Sequence, residues 1–460
     1  MSVPHTSITQ LRLLNFRSFK KAELQLHPEL CVFLGNNGSG KTSMLDALSI
    51  IISKIFPCCE YWPKLTARPY KSQNIRHWNE PFQGKHILRY ADTSGVVGLL
   101  RMEHLQGQTD FECPLSAGLR MNIGEKLSVR PSVMIADYFN NDLLKIEGVP
   151  VFSYYGSHRA AIDINHGSRR KINVTSPFAA YINALLPSVD FAAFLDWFSE
   201  EEAAELREQR HNPAYISREL NAVRESFERA FSHTDIKMSN PRFENNPKRF
   251  VVTQNLPDGE SVELTFDQLS DGYRGMIALV MDFARRLAIA NQYAEGNPLD
   301  GSGVLMIDEV DVHLHPKWQY RVIDDLRRTF PNVQLIVTTH SAEVVSMVDS
   351  QHIYILDAED GVLTEQHPQQ QTAGFYPDKI ASLEMDAPNH VSEHPAYQAY
   401  LRCLTAIQHG DVETDAYREA FEQVRAHYRD NHPLVQELEA RLEGLRRRKL
   451  LLAKMGGKKS

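Results

Sequence analysis

Cysteine is scarce and unpatterned in this chain. Its five copies, Cys31, Cys58, Cys59, Cys113 and Cys403, include no C-x-x-C pair and no regular spacing. Neither a disulfide framework nor a zinc site is thereby supported; buried thiols are the reading favoured. Long hydrophobic runs are missing too. The stretch from Leu48 to Ile55 is broken by Ser49 and Lys54 and is far too short to cross a bilayer. The first residues, MSVPHTSITQLRLLNFRSFKK, lack the layout of a signal peptide, so a cytoplasmic protein without membrane association is expected. A basic excess is absent as well: the net charge is −8, unlike that of an autonomous nucleic-acid binder. The only dense basic run is the tail RRRKLLLAKMGGKKS, whose plain reading is a solvated helix end.

What is present is an ordinary globular composition, 42% apolar and 23% charged over 460 residues, with room for about two to three domains. Within it stands FLGNNGSGKTS, residues 33–43. It follows the apolar run Leu30–Leu34 and precedes the helical Met44–Leu48. Gly35, Gly38, Gly40, Lys41 and Thr42 satisfy G-x-x-x-x-G-K-[ST] in full. Glycines let successive backbone N–H groups converge on an anion, a new helix points its positive end there, the lysine reaches β and γ phosphates, and the threonine hydroxyl ligates Mg²⁺. A nucleotide site therefore comprises Gly35, Asn36, Asn37, Gly38, Ser39, Gly40, Lys41, Thr42 and Ser43.

Far downstream, VLMIDEVDVHLHP opens with four apolar residues, Val304 to Ile307, the profile of a strand buried on both faces of a parallel sheet. It ends in Asp308, placed to hold Mg²⁺, and Glu309, placed to polarise an attacking water. VQLIVTTHS repeats the design and delivers His340 to a strand end, within reach of a γ phosphate. Between them and the loop, Leu269-Ser270-Asp271-Gly272-Tyr273 opens a helix whose apolar residues Ile277, Val280, Phe283 and Leu287 recur at near-helical spacing. RFVVTQNLPDGESVELTF just before it reads as a hairpin. Ser270 and Gly272 make a second anion-ready helix end. One chain has already cradled its phosphates at the loop, so a partner subunit's nucleotide best explains the second.

These motifs together resemble an ABC-type ATPase of the branch that includes RecF, SMC heads and the overcoming-lysogenization-defect nucleases. The matching pieces are NFRSF (15–19) with Arg17, GNNGSGKT as Walker A, LSDGY as the signature, VLMIDE as Walker B, Asp311 in the D-loop position and His340 as the H-loop. The resemblance implies an α/β P-loop ATPase head with an antiparallel β subdomain, an inserted helical lid and a C-terminal helical region. It implies ATP and Mg²⁺ as cofactors and a head-to-tail dimer, or higher oligomer, in which each signature closes the other subunit's site. Gln73, in YKSQNIRHW, is the candidate Q-loop metal ligand. The signature departs from LSGGQ: Asp271 replaces a glycine and Tyr273 the glutamine, and a carboxylate near a γ phosphate favours slow turnover.

The expected domains are an N-terminal half-head (1–160), a helical lid (161–245), a C-terminal half-head (246–376) and a helical region (377–460) for partner binding or oligomerisation. In the lid, Phe191, Phe194, Leu195 and Phe198 form one apolar stripe and Leu220, Val223, Phe227 and Phe231 another; two such helices cannot make a long coiled-coil arm. After Asp378 neither the Glu nor the Asp-x-Asp of a Toprim nuclease is found, and the two histidines of DAPNHVSEHPAY lack ligand spacing. The head, the nuclease-free tail and PVFSYYGSHRA (150–160) resemble the ATPase subunits of Septu anti-phage systems. That resemblance implies control of a separate nuclease of the HNH type, with nucleic acid reached through that partner. A RecF-like repair ATPase and the ATPase partner of a Toprim nuclease remain alternatives.

Overall fold

The computed structural model describes residues 6–56, 71–82, 85–91, 94–102, 111–119, 148–160, 176–188, 191–231, 237–245, 248–256, 259–358, 360–377, 380–381, 394–429 and 432–456. The chain divides into two compact units, Met1–Met385 and Asp386–Ser460.

In the first unit the β-strands number in chain order β1 (Thr6–Phe16), β2 (Phe19–Gln25), β3 (Leu30–Leu34), β4 (His77–Phe82), β5 (Lys85–Tyr90), β6 (Ser94–Met102), β7 (Phe111–Leu119), β8 (Val151–Tyr155), β9 (Lys237–Asn245), β10 (Lys248–Asn255), β11 (Ser261–Thr265), β12 (Gly303–Ile307), β13 (Val333–Thr338), β14 (Ile353–Ile355) and β15 (Val362–Thr364). Five of them lie parallel in the order β8-β12-β13-β3-β14. Every residue of β3, β8, β12 and β13 is buried, because a parallel sheet is covered on both faces. That is why these strands read as unbroken apolar runs instead of alternating ones.

Strand β1 leaves the parallel sheet after a single pairing, Thr6 with Val333, and continues between β2 and β6 in an antiparallel layer that ends at β7. Gln334 makes the junction. Its buried amide accepts from Ile8 N–H at 2.8 Å and donates to the Ile8 and His27 carbonyls at 2.9 and 2.8 Å, supplying the backbone partners that the diverging strand has lost.

Helix α1 (Lys41–Ile52) starts at the P-loop. It is buried on nearly all sides, and Gly98 of β6 gives Ile51 room, since a Cβ there would collide with it. Helices α2 (Phe191–Gln209) and α3 (Arg218–Phe231) form the hairpin the apolar stripes predict. Their aromatic residues join the core of the head. Phe191 stacks on Phe266 at 4.5 Å and Phe198 meets Phe250 edge-on at 5.9 Å. Strands β10 and β11 pair as expected from the sequence, and β9, not foreseen, adds a third strand.

Helix α4 (Asp271–Ala290) carries a buried charge network. Asp282, wholly inaccessible, pairs with Arg285 at 2.6 Å and Arg286 at 2.8 Å and accepts from Tyr155 Oη at 2.8 Å. Arg286 also donates to the Ala180 and Ile182 carbonyls. Short helices α5 (Pro316–Gln319), α6 (Val322–Thr329) and α7 (Ala342–Val345) complete the helices described here for this unit.

The second unit consists, among the described residues, of α8 (Pro395–His409), α9 (Asp415–Tyr428) and α10 (Pro433–Gly456) around Tyr400, Cys403, Val424, Val435 and Leu438. Both α8 and α10 begin with a His-Pro dipeptide. The imidazole Nδ1 of His394 accepts from Ala396 N–H and that of His432 from Leu434 N–H, each at 3.3 Å. His394, weakly considered a metal ligand from the sequence, is thus an N-cap; His390 lies outside the described residues.

Candidate nucleotide site

The P-loop leaves β3 at its carboxyl end, where ligands bind in open parallel sheets. Gly40 caps α1 in a left-handed conformation, φ 100°, without any side-chain cap, so the first-turn amides stay available to an anion. A Cβ at Gly40 would also strike the Phe19 ring, so this glycine serves both the turn and the packing beneath it. Ser39 Oγ is buried without a hydrogen-bond partner. Lys41 is only 6% exposed. Its ammonium donates to the Gly35 and Asn36 carbonyls at 2.6 and 3.0 Å. Burial lowers its pKa, and Asp308, Glu309 and Asp311 pull it back up.

Two neighbouring strand ends complete the floor. Thr42 Oγ1 donates to Asp308 Oδ2 at 2.9 Å, joining Walker A to Walker B across 266 residues of sequence. Thr338 Oγ1, at the end of β13, donates to Asp308 Oδ1 at 2.7 Å and accepts from Glu309 N–H at 2.7 Å. Asp308 N–H itself donates to the Tyr155 carbonyl at 2.8 Å. Glu309 then turns out of the strand with φ 48°, a left-handed conformation rare for a residue with a Cβ.

Asp311 accepts from Thr339 Oγ1 at 2.6 Å and from His340 N–H at 3.3 Å. It thereby ties the D-loop position to the H-loop. Burial and the Lys41 charge lower the His340 pKa against the pull of Asp311, Glu309 and Asp308, which favours a neutral imidazole. Arg17, also left-handed at φ 51°, bridges to Asp46 of α1 at 2.6 Å and donates to Ser43 Oγ at 3.4 Å. Gln73 is exposed in a short 3-10 turn (Ser72–Asn74) held beside Arg17, whose N–H donates to the Asn74 carbonyl at 2.9 Å.

Among the described residues no hydrogen bond joins Ser270, Asp271 or Gly272 to the P-loop. Ser270 is exposed at the N-cap of α4, while Gly272 is buried against the chain's own D-loop, where a Cβ would meet the His313 carbonyl. Tyr273, in the place of a glutamine, packs against Trp318 at 5.0 Å. Asp271 is paired with Arg274 one turn along, whose hydrogen bond and charge lower the carboxyl pKa.

Walker A loop, Walker B carboxylates and H-loop thus meet at adjacent parallel strand ends. Residues 156–346 match the family model "AAA domain, putative AbiEii toxin, Type IV TA system" and residues 7–94 match "AAA ATPase domain". The chain is 27% identical to "Retron Vc95 probable ATPase" of Vibrio cholerae over 77% of this chain and 74% of that protein. It is also 27% identical to Septu protein PtuA of Bacillus thuringiensis, over 39% of this chain and 42% of that one. The chain is thus similar to AAA/ABC-type ATPases. Among solved structures, an SMC head bound to the C-terminal winged-helix domain of ScpA aligns over 78% of this chain and 98% of that one, with 18% identity and a TM-score of 0.40.

The residues of the ATPase fit ATP and Mg²⁺ on their own chemistry. The orphaned Ser39 hydroxyl and uncapped helix start call for an acceptor, and the Thr42–Asp308 pair is the oxygen donor set that would hold Mg²⁺, a hard cation. The ion, when bound, neutralises phosphate charge. One buried group was not foreseen from the sequence. Arg159, in the turn after β8, donates to the carbonyls of Asp308, Glu309 and Val310 at 2.7, 2.8 and 3.1 Å. Nothing in the preceding Tyr155-Gly156-Ser157-His158 marks it off from a solvated arginine.

Proposed function

We propose that the ATPase binds ATP at the P-loop, hydrolyses it slowly in a head-to-tail pair, and through that cycle controls a separate nuclease, of the HNH type, in bacterial antiviral defence. The observation that carries the hydrolytic part is the coupling of Thr42 through Asp308 to Thr338, which sets Glu309 beside the loop. In this reading Lys41 leaves its two loop carbonyls for the β and γ phosphates and Ser39 finds its missing acceptor. Neutral His340 faces the γ phosphate. Glu309 takes the proton of the attacking water.

The exposed Ser270 and the Asp271–Arg274 pair would close the partner's site, with Arg274 offsetting the charge that otherwise disfavours a γ phosphate. The likeness to retron and Septu ATPases supports the defence role, and the separate helical unit 386–460 offers a place for the nuclease to dock. Glu309→Gln tests the core of the proposal. ATP binding should persist while turnover falls by about a hundredfold, the weight of a positioned base, and the ATP-bound oligomer should accumulate in gel filtration. Normal turnover by that variant would make Glu309 a structural residue.

A further inference from the structure

Arg159 is 2% exposed, yet no carboxylate hydrogen-bonds to its guanidinium among the described residues. Its partners are backbone carbonyls: those of Asp308, Glu309 and Val310, with Gly156 at 3.4 Å. A buried cation without a paired carboxylate is costly to keep. Three consecutive carbonyls turned to one side call for donors in turn, although that of Glu309 also accepts from Val312 N–H at 3.0 Å. Each explains the other, and what they share is the backbone on either side of Glu309.

That backbone is the one stretch of the Walker B strand end that leaves the ordinary region. Glu309 has φ 48°, and a non-glycine residue stays left-handed only where its surroundings over-determine it. Strand β13 and Arg159 both do so. Thr338 accepts the Glu309 N–H through its hydroxyl and the Val310 N–H through its carbonyl at 2.9 Å, and Arg159 holds the carbonyls before, at and after the bend. Rotation about the Glu309 N–Cα bond toward the ordinary α or β region would carry the Glu309 carbonyl away from Arg159 Nη2, breaking the shorter of its two bonds, and swing the Glu309 Cβ to a new direction. Burial lowers the Arg159 pKa to about 10, against the pull of Asp311, Asp308 and Glu309, so the guanidinium keeps its charge near neutral pH.

We infer that Arg159 is a positioning residue for hydrolysis: it clamps the carbonyls of residues 308–310 and so aims the Glu309 carboxylate, without touching nucleotide itself. The inference rests on the reading of Glu309 as the group that polarises the water.

Arg159→Lys and Arg159→Gln in the full-length chain test it, with ATP affinity, kcat, KM and thermal midpoint measured in both wild-type and Glu309→Gln backgrounds. Lysine keeps charge and stem but cannot span three carbonyls, and it carries the test should the glutamine variant fail to fold. The expected result is a kcat lowered by about tenfold or more with ATP affinity within about threefold, the signature of an interaction used only in the transition state. On the Glu309→Gln background the same change should cost less than about twofold, because residues acting through one group are not additive. A wild-type kcat, a loss confined to ATP affinity, or a full multiplicative loss on Glu309→Gln would each overturn the assignment. Undiminished turnover by Glu309→Gln alone would remove the underlying reading with it, whereas a slow Glu309→Gln with multiplicative losses removes only the role of Arg159.

Discussion

Lys41 illustrates how one side chain can hold two jobs. Its ammonium is folded onto the Gly35 and Asn36 carbonyls, so it shapes the loop, while the proposed function also assigns it the phosphates. Lys41→Ala is therefore expected to abolish ATP binding and also to loosen the loop, at a cost of about 1 kcal/mol in stability from the lost hydrogen bonds. Titration with a fluorescent ATP analogue and a thermal melt read the two effects separately; unchanged affinity would sink the P-loop assignment. At this scale the sequence was informative where chemistry demands a fixed spacing, as in Gly35 to Thr42. It was silent on Arg159, because an arginine that caps carbonyls has the same neighbours in sequence as one that faces water.

Among the elements, helix α4 is set apart by what lies inside it. Asp282 is buried against the charged form, but Arg286 and Arg285 outweigh that penalty and hold its carboxyl down to about 2. Its folded pKa is thus below the ordinary 3.8, and the stabilisation is present above about pH 4 and fades as pH falls from there toward 2. Asp282→Asn would leave two buried arginines without their partner, a loss of about 3–5 kcal/mol. Melts of wild type and variant between pH 7 and pH 2.5 should show a gap that narrows below pH 4; a constant gap would mean that the carboxylate charge is not what holds the helix. Apolar periodicity made α2, α3 and α4 legible, and unbroken apolar runs did the same for β3, β12 and β13. The network at Asp282 and the strand β9 were not legible: the first places charges on a helix's buried face, where periodicity predicts none, and the second carries polar residues with no alternation.

For the whole molecule, two outcomes follow from the proposed pairing of one subunit's signature with the other's P-loop. Ser270→Arg protein keeps its own loop, so ATP should bind while dimer closure fails. Mixed with Lys41→Ala protein, it should regain up to about a quarter of wild-type turnover: half of randomly paired dimers are mixed, and each holds one intact composite site of two. No recovery, although mixed dimers form, would speak against a shared site. The helical unit beyond Met385 is expected to serve capture of the nuclease. Truncation after Tyr376 should leave ATP binding intact and abolish pull-down of the product of the neighbouring gene. Equal capture by both proteins would move the docking surface to the α2–α3 hairpin.

The amide of Gln334 bonds to Ile8, 326 positions earlier in the chain, and this has a bearing on how the chain is made. Strand β3 and its P-loop emerge early, but β13 and β14, the two strands that flank β3, are encoded some three hundred residues later. At about 5–20 residues per second the ribosome needs roughly 15–65 s to deliver them. Through that interval the first half-head carries an apolar strand with both edges unpaired, a template for wrong pairing. Slower synthesis or a stop codon before Gln334 should thus yield aggregates instead of a soluble half-head, and a nascent-chain chaperone would act on residues 30–34 ahead of any other stretch.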